Sequence, residues 1–302
     1  MTPRKHQIEA IAFCLAMLRA GRERAVVQMP TGSGKSYVEM AIAREWVRGG
    51  GHATILVPSE EVVQQLKRLA WLLGLTPVIE MADLHASRFA PFVIGTYQTM
   101  WRRVEKYKRP KSLVLLDECH HVNFDAPVNL SIASAFERAI GFSATPWSSG
   151  CESFFGDCSY CYPLSRSIAE SVNCDFAVLP WMHPTPGKYQ VVYCSNMEHI
   201  LEMCREISPS AYAVYQAENA RQIIARFRHG LVGTIVVNRM LTEGFDQPQI
   251  KHVWIARDTE SDIFALQMAG RALRPYQRQQ ASIYVRSERT RATLERAIRR
   301  AG

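Results

Sequence analysis

No stretch of the 302 residues approaches the ~20 consecutive apolar positions that a helix needs to cross a bilayer, which argues against a membrane-spanning role. A secretory leader is not expected either. Arg4 and Lys5 precede an apolar segment at 8–18, but Glu9 interrupts it and no small-x-small cleavage site follows. Read as a helix, that segment places Ile8, Ile11, Ala12, Leu15 and Leu18 on one face. Internal repeats and low-complexity tracts are missing too, so neither a solenoid array nor a disordered chain is expected. Among eight cysteines, only Cys158 and Cys161 make a C-x2-C pair. With Cys151 and Cys174 they form C-x6-C-x2-C-x12-C, the one spacing that offers a tetrahedral zinc site. A single pair is thin support, and structural zinc is not expected. Cys14, Cys119, Cys194 and Cys204 read as small buried hydrophobes.

Two short stretches carry most of the chemistry. Residues 25–29 read as a buried strand, and residues 36–47 as a helix with apolar Val38, Ala41, Ile42 and Trp46. Between them runs Met29-Pro30-Thr31-Gly32-Ser33-Gly34-Lys35-Ser36, which has the make-up of a phosphate cradle. Gly32 and Gly34 let backbone N–H groups turn inward around phosphate oxygens. The helix N-terminus adds partial positive charge, Lys35 reaches the β- and γ-phosphates, and Ser36 offers its hydroxyl to Mg²⁺. Met29 stands where the G-x-x-x-x-G-K-[ST] pattern has its first glycine. Taken alone, the stretch also reads as a glycine-rich strand-to-helix turn with a chance lysine.

The second stretch, Leu115-Leu116-Asp117-Glu118-Cys119-His120, ends a continuous apolar run at 112–116, as expected of a parallel strand buried on both faces. Asp117 falls at its carboxyl end, where open α/β sheets place ligands. It is expected to hold the Mg²⁺ shell, while Glu118 orients and deprotonates an attacking water. A solvated Asp-Glu pair opening a loop is the plainer alternative, and the upstream cradle weighs against it. ATP hydrolysis is the expectation.

With these motifs the chain resembles the superfamily 2 helicases and translocases named for DEAD, DEAH or DECH boxes. The resemblance runs in order over nearly the whole sequence. Gln7, after Pro3-Arg4-Lys5-His6, resembles the adenine-reading glutamine. Ile55-Leu56-Val57-Pro58-Ser59 and Gly95-Thr96-Tyr97-Gln98-Thr99 resemble nucleic-acid-contacting motifs, which implies contacts from Pro58, Ser59, Thr96 and Gln98. Phe142-Ser143-Ala144-Thr145-Pro146 matches the Ser-Ala-Thr motif, so His120, Ser143 and Thr145 are implied to couple hydrolysis to movement. Residues 241–248 match motif V, which implies nucleotide contacts from Gly244 and Asp246 and a strand contact from Thr242. Residues 267–274 match QxxGRxxR, which makes Gln267, Arg271 and Arg274 catalytic candidates beside Glu118.

Independently of that likeness, Arg271 and Arg274 are three apart and would share a helix face. Guanidinium groups stay charged and bind phosphate oxygens in pairs, which suits them to charge developing in phosphoryl transfer. The implied fold is α/β, two RecA-like lobes, each a largely parallel sheet flanked by helices, with the ATP site in the cleft between them. Strand-like runs fit this at 54–57, 91–96, 112–117, 139–143, 190–194, 233–238, 252–256 and 282–286. Pro180, Pro184, Pro186 and Gly187 cluster at 179–188, so the linker is expected there, dividing the chain into 1–183 and 184–302.

The net charge of +8, with basic clusters at 102–111 and 286–300, supplies what a phosphate-backbone partner requires. Trp101, Tyr97 and Trp147 lie beside the implied strand-contacting motifs, as core residues or as stacking partners for bases. His120 stands where RNA-remodelling DEAD-box enzymes have aspartate. The resemblance therefore leans toward bacterial and phage DNA repair and branch-migration helicases, and toward restriction-enzyme translocase subunits. The function expected is an ATP-dependent DNA helicase or translocase in replication, repair or recombination. It would use ATP and Mg²⁺, act on single-stranded or branched DNA, and work in the cytoplasm of a bacterium or phage-infected cell. Alternatives are an RNA helicase, an ATP-switched nucleic-acid binding or annealing module, and a small-molecule P-loop kinase.

Overall fold

Alternating strand-length and helix-length segments form two sheets in the computed structural model, which describes residues 2–147, 150–207, 211–214, 217–238, 247–276 and 280–302. The chain divides into two compact units, one of residues 1–30 and 34–163, the other of 164–302 together with 31–33. The first sheet contains β1 (Arg24–Gln28), β2 (His52–Val57), β3 (Val78–Glu80), β4 (Phe92–Thr96), β5 (Ser112–Asp117), β6 (Arg138–Ser143) and β7 (Ser159–Cys161). Its order is β3-β4-β2-β5-β6-β1-β7, and every pairing within it is parallel. β4 and β5 are buried at every position, because helices cover both faces of a parallel sheet.

The second sheet is built from β8 (Phe176–Pro180), β9 (Gln190–Tyr193), β10 (Ala211–Val214), β11 (Thr234–Val237), β12 (His252–Ile255) and β13 (Ala281–Val285). Its order is β10-β11-β9-β12-β13-β8, again parallel in every pairing. β9 and β11 in its interior are fully buried.

The division between units falls between Pro163 and Leu164, upstream of the 183/184 boundary that the proline cluster suggested. β8 explains the difference. It pairs with β13 from Phe176↔Ala281 to Pro180↔Val285, so 176–180 belongs to the second sheet and the expected linker begins inside a strand. Pro180 is tolerated there because it closes an edge strand and has no central ladder bond to donate.

Helix starts follow the local chemistry. The Ser59 hydroxyl accepts Val62 N–H at 3.4 Å and caps the helix Glu60–Leu72, whose first turn carries Glu60 and Glu61. Ser261 and Ser287 do the same for the helices Asp262–Gly270 and Glu288–Ala301, accepting from Phe264 N and Thr290 N at 3.2 Å each. Among the described residues no helix is long and apolar enough to cross a membrane.

Candidate nucleotide site

β1 delivers the chain into the cradle. Met29 N–H donates to Ser143 C=O at 3.0 Å, continuing the β1–β6 ladder one residue beyond the strand. The Met29 side chain is fully buried, so the position that departs from the glycine pattern serves the core of the first unit. Gly32 and Gly34 have φ of +84° and +90°, a region open to glycine and strained for other residues. At Gly34 a Cβ would also lie 2.2 Å from Gln7 Nε2, so any side chain there would have to displace the Gln7 amide. The helix Lys35–Arg48 starts immediately afterwards, with Ser36 half-buried in its first turn.

Lys35 is buried, with Nζ 3.5 Å from Met29 C=O and 3.3 Å from a Glu118 carboxylate oxygen. Glu118 follows β5 in a left-handed conformation, φ 49° and ψ 52°, uncommon for a residue with a side chain. That bend sends the chain into a short 3-10 turn, Cys119–His121, and turns His120 back toward β6. His120 Nδ1 lies 2.8 Å from Ser143 Oγ and 3.4 Å from Glu118 Oε2, and Ser143 Oγ accepts Thr145 N–H at 2.9 Å. Lys35, Glu118, His120, Ser143 and Thr145 thus make one contiguous polar path along the carboxyl ends of β1, β5 and β6.

Asp117 is buried beside the path, its backbone C=O accepting the Tyr97 hydroxyl at 2.8 Å. Burial, then the Glu118 charge, pushes its carboxyl up to about 7, against the pull of Lys35. Glu39 faces it from the helix Lys35–Arg48 and is completely buried, and among the described residues no N–H group donates to its oxygens, which leaves Asp117 as its polar neighbour. Burial, followed by the neighbouring Asp117, drives the Glu39 carboxyl well above the usual range. Glu39 is the residue that motif reading missed. Its signal was its place four residues after Lys35, on the same helix face.

These residues fit a magnesium nucleotide. The left-handed glycines, the buried lysine and the buried Asp117 carboxyl, which has no ion pair among the described residues, make the set that phosphates and a hydrated Mg²⁺ require. Gln7 is already tied in, its Oε1 accepting Arg4 N–H at 2.8 Å and its Nε2 donating to Gly34 C=O at 3.4 Å. Beside it His6 stacks on Tyr162 at 4.3 Å between centroids.

The nucleic-acid candidates of the first unit lie at the ends of β2 and β4. Ser59 and Thr96 spend their hydroxyls on helix caps, Thr96 Oγ1 accepting Thr99 N–H at 3.4 Å. Pro58 directly precedes Ser59 after the end of β2. Gln98 is exposed and lines a surface cavity of about 240 Å³ with Ala82, Thr99, Arg102 and Arg103. Tyr97 is buried and its hydroxyl is committed to Asp117, so it is a core residue and not a platform for bases, whereas Trp101 is half exposed.

In the second unit, Gln267 and Gly270 lie on the helix Asp262–Gly270, with buried Arg271 as its C-cap. Arg274 is not on that helix, so the helix face expected for the two arginines does not form. The chain leaves the helix at Gly270 through tight turns, Ala272 N–H to Ala269 C=O at 3.0 Å and Leu273 N–H to Gly270 C=O at 3.4 Å. Leu273 C=O is then taken by Cys174 N–H at 2.8 Å, which draws the segment toward the start of β8. Thr242, Gly244 and Asp246 lie outside the described residues.

Of the four cysteines spaced for zinc, Cys151 and Cys174 are buried, Cys158 is half-buried and Cys161 is exposed. The Cys174 thiol donates to Ala272 C=O at 3.2 Å. Among the described residues no group of three or more His, Cys, Asp or Glu side chains is arranged to hold a metal ion. Magnesium carried by a nucleotide does not need such a cage, since phosphates and water fill most of its shell.

Residues 1–148 match the family model of the type III restriction enzyme res subunit. The chain is 28% identical over 244 residues to the ATP-dependent DNA helicase Hel308 of Aeropyrum pernix, an alignment covering 74% of this chain and 31% of that protein. The chain thus spans about a third of the length of this relative. Among solved structures it resembles the ATP-dependent type ISP restriction-modification enzyme LlaBIII bound to DNA, with a TM-score of 0.75 and 15% identity over 94% of this chain and 27% of the other. It also resembles Dbp5 of S. cerevisiae bound to RNA and ADP BeF3, with a TM-score of 0.70 and 14% identity over 100% of this chain and 88% of the other. At such identities the likeness concerns the fold, and each of the two units is a RecA-like lobe.

Proposed function

From the premise that the chain belongs to superfamily 2 of helicases and translocases, we propose that it is an ATP-dependent DNA helicase or translocase acting in replication, repair or recombination. The observation that carries the reading is the unbroken path Lys35–Glu118–His120–Ser143–Thr145. It links a phosphate-binding lysine and a water-orienting carboxylate to the start of the segment that follows β6.

On this reading Gln7 selects adenine, and the backbone of 31–34 with Lys35 and Ser36 cradles the phosphates. Asp117 and Ser36 hold Mg²⁺, which when bound neutralises phosphate charge. Glu118 is the general base. In the resting arrangement its carboxylate lies against Lys35, and phosphates that claim the lysine leave Glu118 free to take a water. His120 reads the change at Glu118 and passes it to Ser143 and Thr145. Arg271 and Arg274 are assigned the charge that develops on the transferred phosphoryl group, with Gln267, Gly244 and Asp246 supporting it. Pro58, Ser59, Thr96, Gln98 and Thr242 belong to the strand path, with single-stranded or branched DNA as the preferred partner. A magnesium-ATP motor of this kind belongs in a reducing cytoplasm, bacterial or phage-infected.

The test is ATP turnover with single-stranded DNA, duplex DNA and RNA in parallel, followed by strand displacement. DNA is expected to stimulate turnover, and Lys35→Ala is expected to abolish both turnover and displacement. Stimulation by RNA alone would replace DNA with RNA as substrate. Displacement that survives Lys35→Ala would identify an annealing or binding module, and no response to any nucleic acid would leave a small-molecule kinase.

A further inference from the structure

The carboxyl edge of the second sheet carries a cluster that none of the motifs accounts for. Pro180, Val285, Ile255 and Tyr193 are in register across β8, β13, β12 and β9. The chain therefore leaves these strands side by side, through Trp181, Arg286, Ala256 and Cys194-Ser195. Ligands of open parallel sheets bind at this edge.

Arg286 is exposed, and its guanidinium lies 5.7 Å from the centre of the half-buried Trp181 ring. Arg286 Nη1 is 3.1 Å from His199 Nε2, while Ser195 backbone N–H points at His199 Nδ1 from 3.4 Å. An imidazole cannot satisfy both. Neutral, it has one acceptor nitrogen, and protonated it has none. Burial, then Arg286 itself, lowers the proton affinity of His199, which favours the neutral ring. One of the two N–H groups therefore needs another acceptor, and among the described residues Nη1 alone of the guanidinium donors of Arg286 has a hydrogen-bonding partner.

The cluster is not uniformly basic. Glu202 and Glu206 act on His199 from its own helix, although Glu206 is also within 3.6 Å of His183. Arg257, after β12, adds a second guanidinium whose Nη1 donates to Asn238 Oδ1 at 2.7 Å. Surplus donors beside a flat aromatic ring match a ligand that alternates anionic oxygens with π faces.

We propose that Arg286, His199, the Ser195 N–H and Trp181 form a subsite for one phosphate and the adjoining base of a single-stranded nucleic acid. The proposal rests on the nucleic-acid reading above and adds to it a grip in the second unit built from residues outside the motifs. A phosphate oxygen takes the N–H that His199 cannot serve, and the base lies on the Trp181 ring that Arg286 now covers.

The experiment is fluorescence-anisotropy titration of the full chain with a labelled oligo(dT) over a range of salt, alongside an abasic strand of equal length. Arg286→Ala is expected to weaken oligo(dT) binding about tenfold and to lower the slope of log affinity against log salt by ~0.7, the loss of one phosphate contact. Arg286→Lys should keep the slope. Trp181→Ala should weaken oligo(dT) about tenfold through lost stacking, and leave the abasic strand unaffected. Arg286→Gln replaces the alanine variant if the latter does not fold. Wild-type binding with unchanged affinity and slope in the Arg286 variants overturns the subsite alone, as does an equal loss on both strands in Trp181→Ala. A wild-type chain that binds neither strand overturns the nucleic-acid reading and the subsite together.

Discussion

In the first unit the chain leaves β5 through Asp117-Glu118, and Glu39 faces them from the next helix, so three carboxyl groups surround one lysine. In the second unit the corresponding strand ends lead to Arg286 and Arg257, with His199 on the helix that follows β9, and the Arg286 and Ser195 N–H groups compete for the one acceptor nitrogen of His199. The two sheets share parallel topology and buried central strands, yet their carboxyl edges are opposite in character. Residues at the strand ends and on the helices that follow them set this, because the interior strands are largely apolar in both units. The acidic edge suits a metal-bound nucleotide and a proton-accepting base. The donor-rich edge suits a polyanion. Architecture positions the sites, and the residues at the strand ends and on the following helices decide what each site takes.

The sharpest test of this division is to remove a guanidinium from the second unit and read the effect on chemistry assigned to the first. Arg274→Ala is expected to cut ATP turnover by about 10³-fold while nucleotide affinity changes far less, as for a charge needed chiefly in the transition state. Loss of DNA affinity with turnover intact would move Arg274 to the strand path and erase the functional contrast with Arg286. Glu118→Gln comes next. The amide keeps its size but cannot take a proton, so turnover should fall by on the order of 10²-fold with ATP still bound. Single-turnover kinetics beside a nucleotide-binding titration separates the two quantities, and unchanged turnover removes Glu118 from the chemistry.

Much of the fold and of the first unit's edge was legible in the sequence, while the second unit's edge was not. The interior strands announced themselves as continuous Val, Ile and Leu runs, with the cradle and the Asp117-Glu118 pair placed at their ends. The strands not anticipated, β3, β7, β8 and β10, are the four edges of the two sheets. β3 and β7 are only three residues long and partly exposed, too brief to stand out as apolar runs. β8 and β10 are apolar in sequence but only partly buried, and each is too short to be told from a loop or a helix end by pattern alone. β8 was further concealed by Pro180, and that moved the expected boundary downstream. Arg271 and Arg274 were expected on one helix because their spacing allowed it, but spacing carries no information about where a helix stops. Glu39 was overlooked because a glutamate in a helix ordinarily faces water. Only the fold reveals that position 39 points at Asp117.

That buried pair yields the smallest and most local prediction. Each unit of pKa shift corresponds to about 1.4 kcal/mol, and a carboxyl whose folded value exceeds its unfolded value holds its proton more tightly in the native state. The resulting stability is fully present below the ordinary value of 3.8, declines as pH rises, and is gone above the folded value of about 7 for Asp117. The nucleotide-free first unit should therefore lose stability between about pH 4 and pH 7 through its Asp117–Glu39 contact. Glu39→Gln removes one of the two carboxyls and supplies an amide N–H to the other. It is expected to raise the unfolding midpoint at pH 8 by several degrees, at roughly 2–4 °C per kcal/mol for a unit of this size. The gain should shrink toward pH 5, where the wild-type pair keeps a proton. Calorimetry across that range checks it, following the transition that shifts on adding ADP so that the second unit does not mask the effect. A destabilised variant, or a gain independent of pH, would mean that Glu39 is satisfied by a donor and that the acidic edge carries one fewer charge than the comparison requires.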